Sequence, residues 1–132
     1  MTHALATRMI VRRYQDLDCW KLAAQVKRKV YAILARPDVA KDFKFCEQIR
    51  ESARSAPSNI AEGFGRFRPA ENARFCEYAK SSLMETDNHI VDALDMAYIT
   101  KDEWKELSAL TNRAIGATTK YIVYLKGPGR DH

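Results

Sequence analysis

The apolar residues Ile49, Ala53, Ala56, Ile60 and Phe64 keep helical spacing straight across Pro57. A proline inside a helix costs one backbone hydrogen bond and crowds the carbonyl four residues back, here that of Ala53. Either one kinked helix spans Phe43–Phe64, or the chain breaks and a second helix starts at Pro57. The unbroken phase favours the kink, with Ser52 and Ser55 placed to help satisfy the freed backbone. Gly63 and Gly65 supply the stop. So long a segment in a chain of 132 residues leaves room for little besides other long helices.

Three further segments carry the same period. One runs from about Asp16, its cap, to Ala35, with Leu17, Trp20, Ala23, Ala24, Val30, Ile33 and Leu34 as its inner stripe; Arg36-Pro37 ends it. Another runs from Pro69 to Tyr98 through Phe75, Ala79, Ser82 or Leu83, Thr86, Ile90, Ala93, Leu94 and Ala97. The last opens on a Thr100-x-x-Glu103 capping box and runs through Trp104, Leu107, Leu110, Ala114, Ala117, Tyr121 and Leu125 to Gly127-Pro128. Short links between long helices make neighbours antiparallel. The expected fold is all-α, an antiparallel up-down-up-down four-helix bundle over residues 15–127, with a flexible segment at 1–14 and a tail at 128–132. Five glycines and four prolines are too few for the regular turns of a sandwich or barrel.

The last helix carries more apolar surface than one bundle can bury. Ile115, Ile122, Val123 and Tyr124 lie off its inner stripe. A helix that is apolar all round is buried all round, so self-association through this helix is expected, with Tyr31 and Tyr98 as further participants. Scattered surface hydrophobes are the plainer alternative.

The net charge is +5 and unevenly spread. Residues 1–30 hold Arg8, Arg12, Arg13, Lys21, Lys27, Arg28 and Lys29 against Asp16 and Asp18, whereas residues 81–100 hold Glu85, Asp87, Asp92 and Asp95 without a base. Arg50 and Arg54 lie four apart on one helix face, and Arg66 and Arg68 follow in the loop beside Phe64 and Phe67. With Lys27, Arg28 and Lys29 they form a candidate phosphate-contacting surface for RNA or DNA, aromatics standing ready to stack on bases. A solvated helix face, with both rings sealing the bundle end, accounts for the same residues.

Chemistry is thinly supported. Three odd cysteines (Cys19, Cys46, Cys76) without Cys-x-x-Cys fit buried thiols in a reducing cytoplasm. Among His3, His89 and His132, only His89 has a neighbouring ligand type, Glu85 one turn away, and one such pair is no metal site. Serines 52, 55, 58, 81 and 82 lack a nearby histidine base, and Gly63-Phe64-Gly65-Arg66 follows no strand. No enzyme activity, metal or cofactor is expected. No apolar run of signal or membrane length is present, so no membrane partner is expected either. Asn59 and Glu62 are read as a buried polar clamp between the second and third helices, with Arg50, Arg66, Ser81 and Ser82 as partners; a binding role is the alternative.

Arg54-Ser55-Ala56-Pro57-Ser58-Asn59-Ile60-Ala61-Glu62-Gly63-Phe64-Gly65-Arg66 resembles the signature of the four-helix bundle proteins encoded in intervening sequences of 23S rRNA genes. Leu17-Asp18-Cys19-Trp20-Lys21-Leu22-Ala23, Phe43 to Arg50 and Ala79 to Thr86 match more weakly, so that the resemblance covers residues 14–126. It implies a left-handed bundle assembled as a ring, often a pentamer, without enzymatic activity. A distant similarity runs to the accessory protein of diversity-generating retroelements, a basic pentameric barrel that binds a reverse transcriptase and nucleic acid. Many members have Gly-Ser-Leu where this chain has Ser81-Ser82-Leu83. Two readings follow from all this: an oligomeric scaffold that binds nucleic acid, or a protein assembly module whose charge serves only solubility.

Overall fold

The computed structural model describes residues 11–128. Four long helices dominate: α1 (Asp18–Leu34), α2 (Phe43–Phe64), α3 (Pro69–Asp95) and α4 (Lys101–Leu125). A 3-10 turn at Tyr14–Asp16 precedes them, and a single helical turn, Pro37–Ala40, fills the link from α1 to α2. No strand occurs among the described residues. Each helix packs on its two neighbours, α1 on α2 and α4, α3 on α2 and α4, so α1 and α3 stand at opposite corners of a four-helix bundle.

The core follows the stripes. Ala23, Ala24, Val26, Val30, Ala53, Ala56, Ile60, Ala79, Leu83, Ile90 and Ala114 are fully buried. The alternation of alanine with larger side chains lets the helices approach closely. Of the two residues offered for one position, Leu83 points inward and Ser82 is half-buried.

Pro57 lies inside α2, which is one continuous helix, so the break is excluded. Ser52 and Ser55 do not turn to the freed carbonyl of Ala53. The Ser52 hydroxyl lies 3.2 Å from the Ile49 carbonyl and 2.9 Å from Thr86 Oγ1, and Ser55 Oγ lies 2.9 Å from Ser82 Oγ. Thr86 Oγ1 also lies 2.8 Å from the Ser82 carbonyl. The Ser52 and Thr86 hydroxyls thus share two protons among three contacts along the α2–α3 seam.

Gly63 is not a stop signal. It sits buried inside α2, where an added Cβ would come within 2.8 Å of Asn72 Oδ1, 2.9 Å of the Asn72 carbonyl and 2.9 Å of Phe75 Cβ. Its missing side chain is what lets α2 meet the first turns of α3. The helix ends one residue later, and Gly65 closes it at an ordinary φ of −78°.

α3 ends at Asp95, three residues short of the expected limit. Ala97, expected on the inner stripe, is exposed with φ 61°, and the Tyr98 N–H donates to the Ala93 carbonyl at 2.9 Å. This is a left-handed cap of the kind glycine normally fills. Relieving the Cβ strain with Ala97→Gly should stabilise the protein by about 0.5–1 kcal/mol, allowing for the looser unfolded chain. Urea unfolding of the two proteins checks it.

α1 begins at Asp18, not Asp16; its cap residue, Leu17, has no side-chain acceptor, and Asp16 instead approaches Arg13 at 3.6 Å. Val11 and Tyr14, expected in a loose segment, pack against the core. The rest of that segment and the tail beyond Pro128 lie outside the described residues. The capping box at Thr100 and Glu103 is formed in both directions.

One end of the bundle is tied by pairs far apart in sequence. Arg36 holds Glu103 through both guanidinium nitrogens and also donates to the Tyr98 carbonyl at 3.3 Å. The Tyr98 hydroxyl donates to Asp42, whose other oxygen caps α2 by accepting from Phe45 N at 3.2 Å. These bonds, Arg36 first and the Thr100 N–H second, pull Glu103 down to about 2. Tyr98 and then the Phe45 N–H lower Asp42, while the bond to Asp42 lifts Tyr98 to about 12. A depressed carboxylate stabilises the fold fully above its unfolded value and loses that contribution as pH falls toward its folded value. Stability should therefore drop between the ordinary glutamate value of 4.5 and about 2. The Arg36 and Glu103 side chains are 40% and 37% exposed, and solvent screening at that exposure limits the size of the effect. Glu103→Gln should flatten part of this fall in a plot of Tm against pH.

Candidate nucleic-acid interface

Trp20 and Lys27 lie two turns apart on α1, and Arg50, Arg54, Pro57, Ser58 and Ala61 share the flank of α2 that faces them. Where the two helices meet, they wall a groove of about 420 Å³ lined by Tyr14, Trp20, Lys27, Arg54, Pro57, Ser58, Ala61 and Glu62. Tyr14 reaches it from the 3-10 turn and stands edge-on to Trp20, ring centres 5.4 Å apart. Arg54 is exposed and Lys27 half-buried. Neither makes an ion pair within 4.0 Å among the described residues; Lys27 lies 6.0 Å from the Tyr31 ring.

The other predicted cations are distributed differently. Arg50 continues the line of Arg54 one turn back along α2. Arg28 is exposed beside Lys27 but turned outward. Lys29 faces the opposite flank, 3.9 Å from Glu106 on α4. Arg66 is 2.7 Å from Glu62 and 4.7 Å above the Phe75 ring, and it meets the groove only through Glu62. Arg68 is exposed at the start of α3. Phe67 is 91% exposed, so it does not seal the bundle end; Phe64 is half-buried against the core.

The buried clamp is corrected. Glu62 is more than half exposed and spends its carboxylate on Arg66, one turn along the same helix, where water covers the cost that burial would have imposed. Asn59 is half-buried and donates to the Ser55 carbonyl and hydroxyl, each at 2.9 Å. The α2–α3 link is therefore Ser52–Thr86 and Ser55–Ser82, with Asn59 stacked on it. Asn59 faces α3 whereas Glu62 lines the α1–α2 groove, so the two do not share a cleft.

The expected assembly surface is also redrawn. Ile122 is buried with Ala73, Cys76 and Leu125 in a second cluster between α3 and α4. Tyr124 is half-buried and stacks on Tyr121, centres 6.2 Å apart. Ile115 packs partly against the core, Val123 is 65% exposed, and Tyr98 is engaged with Asp42.

Charge is laid across the bundle. α1 carries Lys21, Lys27, Arg28 and Lys29 against Asp18, a net +3. α3, diagonally opposite, carries Glu71, Glu77, Glu85, Asp87, Asp92 and Asp95 against Arg74 and Lys80, a net −4. A polyanion is attracted to one side and repelled from the other. Conventional reactive chemistry is poorly served. The thiols of Cys19 and Cys76 are pushed up to about 12 by burial, away from the thiolate form. His89 lies 3.6 Å from Glu85, and no three metal-binding side chains cluster among the described residues. No helix there is long and apolar enough to cross a membrane.

What the sequence missed was the groove's aromatic wall. The period puts Trp20 on an inner stripe and leaves Tyr14 in a loose segment, and an aromatic at a stripe position looks the same whether it is covered or, as Trp20 does, packs against the core and also lines a helix–helix groove.

No curated protein matches the chain. The family model described as 23S rRNA-intervening sequence protein matches residues 15–119, which takes in α1, α2, α3 and most of α4. The chain belongs to the 23S rRNA-intervening sequence protein family.

Proposed function

We propose that this protein is a non-enzymatic, self-assembling helical bundle that binds nucleic acid through the α1–α2 face. The observation that carries the reading is the convergence of unpaired Lys27 and Arg54, in line with Arg50, on the side of the bundle diagonal to its acidic helix. Phosphate contacts of this kind supply affinity without sequence readout. RNA and duplex DNA should bind at low salt, and Lys27→Ala, Arg50→Ala and Arg54→Ala combined should weaken binding while leaving the circular dichroism melt unchanged. Absence of binding at low salt contradicts the proposal and favours the second reading, a protein assembly module, which rests on the exposed Phe43, Phe67 and Met84.

Self-assembly is assigned to the opposite face, formed by α3 and α4. Met84 and Val91 flank Asp87, which accepts from Ser108 across the two helices at 3.2 Å, and both are exposed. On α4, Gly116 is exposed with nothing within 4 Å of the place its Cβ would occupy, and Val123 lies two turns further on. An exposed mid-helix glycine costs about 1 kcal/mol relative to alanine and is accounted for by close approach of another copy. A ring, the pentamer implied by the family resemblance included, would then keep α1–α2 outward. Gly116→Gln should raise the helicity of α4 yet lower the sedimentation coefficient at micromolar protein. A wild-type monomer under those conditions contradicts the assignment.

A further inference from the structure

We infer that the α1–α2 groove takes single-stranded nucleic acid, with one base against the Trp20–Tyr14 wall and the adjoining phosphate between Lys27 and Arg54. The inference rests on the nucleic-acid reading above and names the form of ligand at that site.

The shape points to a single strand. The groove is a concavity of about 420 Å³, the scale of a small-molecule site. A duplex keeps its bases stacked inside and is read by an element that projects into one of its grooves. This face offers an open trough between α1 and α2 instead. An unpaired base fits such a recess, and aromatic side chains are the usual platform for it, because every base presents a π-face.

The chemistry along the groove is ordered in the same way. Tyr14 and Trp20 line it as a pair of rings in contact, an apolar surface ending in a phenol and an indole N–H. Lys27 and Arg54 face each other from opposite walls without carboxylate partners, so a bound phosphate need not displace an ion pair. Glu62 also lines the groove and remains half exposed beside Arg66. Its negative charge disfavours phosphate there and confines the backbone to the Lys27–Arg54 stretch. Ser58 adds a neutral hydroxyl to the wall, suited to either a base edge or a sugar.

Tryptophan fluorescence tests this directly. Trp104 is the second tryptophan, and its indole N–H has no hydrogen-bond partner, so Trp104→Phe forfeits no bond and leaves Trp20 as the reporter. In that background, oligo(dT) and oligo(rU) should bind saturably at low salt and quench Trp20. Inorganic polyphosphate should displace them without quenching, and a DNA duplex should bind about ten-fold more weakly than oligo(dT), the weight of a lost base stack. Arg54→Ala should weaken oligo(dT) about ten-fold while leaving the quench at saturation unchanged. If single strands, duplex and polyphosphate bind alike and none quenches Trp20, the groove inference fails and the basic face remains a general polyanion surface. If nothing binds at low salt, both the inference and the proposed function fail.

Discussion

Gly63→Leu is expected to prevent the bundle from forming, and Gly63→Ala to destabilise it by about 1–3 kcal/mol, the usual cost of overpacking. The reason lies in what surrounds the missing side chain. A Cβ would meet the Asn72 carbonyl at 2.9 Å and Phe75 Cβ at 2.9 Å, and neither is the free end of a flexible chain. Asn72 is itself fixed: its Nδ2 donates to the Tyr121 hydroxyl on α4 at 3.0 Å, and its Oδ1 lies 3.6 Å from Cys76 Sγ. Pushing α3 away from α2 would pull this α3–α4 bond apart as well. The better helix propensity of alanine, worth about 1 kcal/mol, offsets only part of the clash. Gly65→Ala is the control, because its nearest neighbours stand at 3.6 Å or more and its φ is ordinary; it should change the urea midpoint little.

The second large effect is expected at Leu83. Its side chain is fully buried, and Leu83→Ala removes an isopropyl group and leaves a cavity that packed helices cannot close. A loss of about 3–4 kcal/mol is expected, a large share of the roughly 5–15 kcal/mol that holds a domain of this kind together. Ser81, two residues back, is exposed, and Ser81→Ala should stay within about 0.5 kcal/mol. Equilibrium unfolding of the pair measures the contrast. Equal losses at the two positions would mean that α3 is rotated from the orientation described.

This contrast also shows what the sequence could and could not reveal. The period of 3.6 locates four helices, and the phase carried across Pro57 favours the single helix found there without excluding a break. The Thr100–Glu103 box marked a boundary that the structure keeps. At α3, however, Ser82 and Leu83 both satisfied the period, and only the position of α2 and α4 decides which one turns inward. Gly63 followed by Gly65 looks like a helix stop; close approach to Asn72 and Phe75 cannot be seen without α3 in place. Glu62 lay near the inner stripe, but its neighbour Arg66 was reachable outside the core, and an exposed pair costs less than a buried one. Ile122 reads as surplus apolar surface in the sequence because the recess between α3 and α4 that buries it is formed by Ala73 and Cys76, small residues that leave no mark on a sequence pattern. Arg36 with Glu103 and Asp42 with Tyr98 tie the α1–α2 link to the first turn of α4 and to the α3–α4 link, which no local spacing reports.

Of the seven cations expected at a nucleic-acid surface, Lys27 and Arg54 share the groove, Arg50 extends it, and Lys29 and Arg66 are occupied by Glu106 and Glu62. Clustering in the sequence weights them equally. Helix geometry separates them, since Lys27 and Lys29 are only two residues apart yet face different partners.

The proposed function rests on Lys27 and Arg54 holding phosphates. The direct measurement is the affinity for oligo(dT) as a function of salt, for the wild type and for Lys27→Ala combined with Arg54→Ala. Each phosphate neutralised on a single strand contributes about 0.7 to the slope of log K against log salt. The double variant should therefore bind more weakly and lose about 1.4 from that slope. A slope and an affinity that do not change when both side chains are removed would contradict it.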